Sequence, residues 1–185
     1  MRTKAGGESP LLLLDAIQVL RSCSIDYAVI GAMAAAVHGV VRASMDADVV
    51  LALAVPEAVR LHDAFGAAGF RTEFRRGDFD DPIPALLELK DDFENRVDLL
   101  IGLKGMDPET FRRAIEVTFD GEQLRVVCRE DFIAMKLFAG GPQDLLDAKH
   151  ARSVDQDTLD AVLLRRVTQQ YGAKALANLE QLLAD

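Results

Sequence analysis

Tryptophan is absent, and aromatic residues make up only 6% of the 185-residue chain. A surface that holds nucleic acid by stacking bases is therefore poorly supplied. Basic residues are also in deficit. Lys and Arg number 21 against 30 Asp and Glu, for a formal charge of −9 and a pI near 4.8. That argues against retention on nucleic acid by bulk charge and leaves room only for a local basic patch. The two cysteines, Cys23 and Cys128, have no partner at metal-site spacing, and each lies in an apolar stretch that reads as a reduced core thiol. His62 and His150 share no spacing with other ligand types, which argues against zinc, and His38 reads as a helix-end or core histidine. The leucine run at 11–14 is stopped by Asp15, too short to span a membrane, and no small-residue cleavage site follows. A reducing cytoplasm without a membrane is the expected setting.

What is present is core-forming material. Half of the residues are apolar, and a chain of this length buries roughly 70% of its unfolded surface in one domain, with room for a small appended subdomain. Ser9 and Pro10 read as N-cap and first helical position of a helix ending near residue 23. Apolar runs bounded by glycine or charge predict strands at 27–30, 46–53, 70–75, 85–90 and 96–101, and a hairpin over 117–127 turning at Asp120-Gly121. Helices are expected at 32–38, 56–68 and 108–115. From residue 129 the pattern is helical, broken at Gly140-Gly141-Pro142, at 153–156 and at Gly172. The expected organisation is a mixed α/β core over 1–128 and a C-terminal helical region over 129–185 packing on it.

Nine acids and four bases lie between Glu73 and Asp98, so this stretch carries −5 of the total charge. Most of it reads as a solvated face. Asp98 differs, standing between Val97 and Leu99 inside an apolar run. Asp46 and Asp48, at i and i+2 of a strand, project from one face. Side by side they repel and lose solvation, so the pair calls for a cation. Mg²⁺ takes carboxylate oxygens together with substrate phosphates, and a third acid such as Asp98 completes a two-ion site. Upstream, the strand ending in Gly31 opens directly into a helix, which offers Gly31 and Ala32 amides to a phosphate. Arg42 adds a guanidinium fork.

The order Gly31-Ala32, Asp46-x-Asp48, Asp98 resembles the nucleotidyltransferase fold shared by polymerase-β-like enzymes. The segments Glu130 to Gly140, with Lys136-Leu137-x-Ala139, and Gln143 to Ala148, with Asp144-x-x-Asp147, look like the AbiEii-like branch, small bacterial nucleotidyltransferases that include type IV toxin components. The resemblance covers roughly residues 25–150. It implies a mixed sheet flanked by helices with a C-terminal helical region. It further implies catalytic and metal-binding roles for Asp46, Asp48 and Asp98, and nucleotide contacts from Gly31, Ala32, Arg42, Ser44, Lys136 and Asp147. Two Mg²⁺ ions, or Mn²⁺, would serve transfer of a nucleoside monophosphate from an NTP such as ATP to an RNA, protein or small-molecule acceptor. A toxin role with an antitoxin partner belongs to the same reading. Ala32 departs from the family's second Gly or Ser and removes any hydroxyl contact there.

Other readings stand beside these. Lys136 lies on an apolar helix and pairs equally well with Asp144 or snorkels; the triphosphate contact is preferred because the glycine break returns Asp147 toward the same cleft. The chain is alternatively a catalytically silent nucleotide- or partner-binding module, or a structural oligomer joined through its helical tail. Arg112-Arg113, Arg125 and Arg129 are the clustered candidates for a tRNA surface, whereas the acidic stretch suits a cationic small molecule such as an aminoglycoside.

Overall fold

A computed structural model describes residues 1–40 and 46–184. Arg42 and Ser44, expected at the nucleotide, lie outside the described residues. In chain order the elements are α1 (Ser9–Ser22), β1 (Tyr27–Ile30), α2 (Gly31–Val37), β2 (Asp46–Leu51), α3 (Ala58–Ala67), β3 (Arg71–Arg76), β4 (Ala85–Lys90) and β5 (Arg96–Ile101). They continue with α4 (Thr110–Arg113), β6 (Ile115–Phe119), β7 (Glu122–Val126), α5 (Arg129–Ala139), α6 (Pro142–Ser153), α7 (Ala161–Gln170) and α8 (Ala173–Ala184).

The seven strands form one mixed sheet in the order β3-β4-β5-β2-β1-β7-β6. Strand β2 runs parallel to β5 and antiparallel to β1, with Asp48 opposite both Asp98 and Ile30. Strand β4 pairs antiparallel with β5, and the β6–β7 hairpin closes one edge through a parallel β7–β1 contact. Alternation along β2 explains its place. Ala47 and Val49 are buried on one face, while Asp46 and Asp48 on the other remain partly exposed. Helices α1 and α3 pack on the sheet, and α5 is the hub of the C-terminal helices, touching α6, α7 and α8. A single apolar cluster runs from Leu13 and Ile17 through Val49 and Leu99 to Phe132, Leu164 and Leu179.

Two local expectations are corrected. Glu8, not Ser9, is the N-cap of α1, and its carboxylate accepts the amides of Lys4 and Ala5; Ser9 instead turns its hydroxyl to the Arg96 amide at 3.0 Å. Cys23 is exposed, because α1 ends at Ser22 and the chain leaves through Ser24 at φ 56°. Cys128 is a buried thiol as expected, and His38 is a core histidine whose Nε2–H donates to the Val127 carbonyl at 2.8 Å.

Candidate active site

Cross-strand register lines acids up across the sheet. Glu73, Glu88, Asp98 and Asp48 are direct neighbours on β3, β4, β5 and β2, so their side chains share a face. Two residues along, the next row reads Arg71, Lys90, Arg96 and Asp46. An acidic row thus lies against a mostly basic one. Arg96 sits at the junction, donating Nε to Asp98 Oδ1 at 2.8 Å and its terminal nitrogen to Asp98 Oδ2 at 2.6 Å. Its Nε also lies 3.1 Å from Glu88 Oε2, and Lys90 Nζ lies 2.7 Å from Glu88 Oε1. Glu88 is 2% exposed. No motif spacing reveals it in the sequence, because its relation to Asp98 exists only in strand pairing.

Asp48 is the focus of the row. Burial first, then the charges of Asp98 and Asp46, push its pKa up to about 6, against the pull of Lys136 and Arg96. Its carboxylate rests over Gly31, which opens α2 at φ 64°. A Cβ at that position would stand 2.0 Å from Asp48 Oδ2, so the turn admits only glycine. Ala32 follows, buried.

Above this face lies a cleft of about 210 Å³. Ile30, Gly31, Asp48 and Leu100 line it from the sheet side, Phe132, Met135 and Lys136 from α5, Pro82 and Ile83 from the β3–β4 loop, and Asp144 from α6. Lys136 Nζ is 2.7 Å from Asp144 Oδ1 and 3.1 Å from Asp147 Oδ2. Of these two acids Asp144 lines the cleft, while Asp147, fully buried, accepts Gln143 Nε2 at 2.8 Å. Asp147, expected at the nucleotide, thus stands behind the cleft wall with Lys136 and Gln143 as its partners, and Asp144 is the α6 acid that lines the cleft.

Asp46, Asp48 and Asp98 supply the hard oxygen donors that Mg²⁺ or Mn²⁺ takes, and the charges of Asp98 and Asp46 both act against ionisation of Asp48. The donor set fits. As they stand, no three such side chains among the described residues are gathered tightly enough to hold an ion, and both Asp98 oxygens are turned to Arg96.

The proposed basic surface is largely occupied internally. Arg113 is bound to Asp131 and Asp107, Arg125 to Asp26 and the Phe111 carbonyl, and Arg129 to the carbonyls of Val154 and Asp155 and to Thr158. Among the described residues, no helix is long and apolar enough to cross a membrane.

No family model and no curated protein matches the chain. Solved structures do. The solution structure of the antibiotic-resistance factor ANT(2'')-Ia superposes with TM-score 0.61 at 12% identity, over 94% of this chain and 96% of that one. The crystal structure of the lincosamide antibiotic adenylyltransferase LnuA, lincomycin-bound, gives 0.50 at 15% over 82% and 99%. A putative nucleotidyltransferase from Thermotoga maritima gives 0.58 at 17% over 75% and 89%. The mixed seven-stranded sheet, with its helices and its cleft above β2, is the nucleotidyltransferase fold.

Proposed function

We propose that the protein is a nucleotidyltransferase that moves a nucleoside monophosphate from an NTP to a hydroxyl of a small cationic acceptor. The observation that carries this is the cross-strand placement of Asp48 beside Asp98, with Asp46 on the same face, under a cleft walled by Lys136. Asp46, Asp48 and Asp98 are the residues that would hold Mg²⁺, which when bound offsets negative charge at the α-phosphorus. The chain's own groups do the rest. Lys136 meets the outer phosphates, next to Gly31 and Ala32. Asp98 orients the acceptor hydroxyl and takes its proton as the oxygen bonds to the α-phosphorus, the bond to the β-phosphate oxygen breaks, and pyrophosphate leaves. The apolar walls from Phe132, Met135 and Leu100 exclude water from the reacting centre.

Two observations support a small cationic acceptor over RNA. Arg113, Arg125 and Arg129 are tied up internally, leaving Arg112 as the exposed one of the four candidates, and the −5 stretch between Glu73 and Asp98 supplies two strands beside the cleft. ANT(2'')-Ia has been crystallised with adenylyl-2''-tobramycin and LnuA with lincomycin. The test is incubation with each labelled NTP and Mg²⁺, in parallel with a panel of aminoglycosides and lincosamides and with total cellular RNA. Label on a small molecule supports the proposal. Label in RNA points instead to the toxin reading, with an antitoxin as partner. NTP binding without transfer to any acceptor favours the silent module, a reading that the Arg96–Asp98 pair supports by occupying both oxygens of the third acid.

A further inference from the structure

The acid face contains its own counterion. Arg96 stands opposite Asp46 across the β2–β5 pairing, grips both oxygens of Asp98, and interacts electrostatically with Asp48. One guanidinium therefore neutralises the same carboxylates that a divalent ion would bridge. A second place for it exists. Glu88 Oε2 is buried and, among the described residues, accepts no hydrogen bond, although Arg96 Nε lies 3.1 Å away and an Arg75 terminal nitrogen 3.5 Å away. The other Glu88 oxygen is already paired with Lys90. A buried carboxylate oxygen left short of a donor is costly. A small movement of the Arg96 fork, from Asp98 toward Glu88, would satisfy it.

We propose that Arg96 is a positioning residue that occupies both oxygens of Asp98 until a divalent ion binds and then passes to Glu88 Oε2. This rests on the reading of the acid face as a cation site. In the exchange the ion takes the place of the guanidinium at Asp98, and the guanidinium completes the hydrogen bonding of Glu88. Arg96 thus sets how readily the third carboxylate joins the other two. Ser9 Oγ, bonded to the Arg96 amide, fixes the backbone from which the side chain swings.

The test is Mn²⁺ affinity without nucleotide, by electron paramagnetic resonance of the free ion, for the intact protein and for Arg96→Lys. Lysine keeps the charge and loses the two-point grip, so Arg96→Lys should bind Mn²⁺ about tenfold more tightly, the worth of one charge-assisted hydrogen bond. In the unsubstituted protein, the Arg96 Nε–H resonance, assigned by its absence from Arg96→Lys, should move on Mg²⁺ titration, and Glu88→Gln should abolish that movement. Equal or weaker Mn²⁺ affinity in Arg96→Lys overturns the proposal and leaves the cation site standing. An unmoved Arg96 resonance under saturating Mg²⁺ overturns it independently of how the variant folds. Failure of both proteins to bind Mn²⁺ overturns the proposal together with the cation site.

Discussion

Asp48 is held with a pKa near 6 against an ordinary 3.8, chiefly by burial and then by Asp98 and Asp46. Between about pH 4 and pH 6 the folded chain keeps a proton that the unfolded chain has released, so this group's contribution to stability falls as pH rises, by about 3 kcal/mol in all. Asp48→Asn should therefore melt higher than the parent at neutral pH without divalent ions and match it near about pH 4. Added Mg²⁺ should raise the parent's melting temperature and not the variant's; a parent insensitive to both pH and Mg²⁺ would sink the assignment. Lys136 carries the opposite sign. Its pairing with buried Asp147 means that Lys136→Ala leaves a carboxylate uncompensated, a loss of roughly 3–5 kcal/mol in thermal melts without ligand. The choice between phosphate contact and structural pair could not be made from spacing, because Asp144 and Asp147 both lie within reach of an adjacent helix; the fold shows that the pairing exists.

At the level of elements, β1, β4 and β5 match their expected bounds to the residue, since each is an apolar run cut off by glycine or charge. Helix starts are less legible. A serine before proline has the chemistry of a cap, yet the cap geometry fell to Glu8 because the Ser9 hydroxyl serves a strand that lies far along the chain. The β1–α2 turn was readable as a strand opening into a helix at Gly31, but not the need for glycine there, which comes from the positive φ and the Asp48 carboxylate above it. Gly31→Ala should cost roughly 2 kcal/mol or more from the left-handed backbone and the Asp48 contact. Combining it with Asp48→Ala should recover part of that loss, measured as a coupling between the two changes in a double-mutant cycle. Full additivity would show that the backbone conformation alone sets the cost.

Across the whole molecule, the sheet and the C-terminal helices are joined by more than apolar packing. Arg113 of α4 bonds both oxygens of Asp131 at the start of α5 at 2.9 Å and lies 3.0 Å from Asp107. The Cys128 thiol, its pKa pushed up to about 12 by burial and by Asp131, donates to the same carboxylate at 3.1 Å. Arg113→Ala should destabilise the chain by roughly 3–5 kcal/mol in denaturant melts, because Asp131 and Asp107 would stay buried without their counter-charge. A cost below about 1 kcal/mol would place the pair among solvent-screened bridges. This network was invisible in the sequence, where Arg112-Arg113 read as a surface patch; Arg112 does stay on the surface, and only Arg113 turns inward to bolt α4 to the start of α5 through Asp131.

The parallel pairing of β2 with β5 has a kinetic consequence. Asp48 meets Asp98 fifty positions along the chain, so closing that ladder must pay loop entropy before any contact rewards it. It must also bring like charges together. Refolding of the parent is then expected to be slower than that of Asp48→Asn, with the gap narrowing in Mg²⁺. During synthesis, the ladder stays open until β5 has left the ribosome.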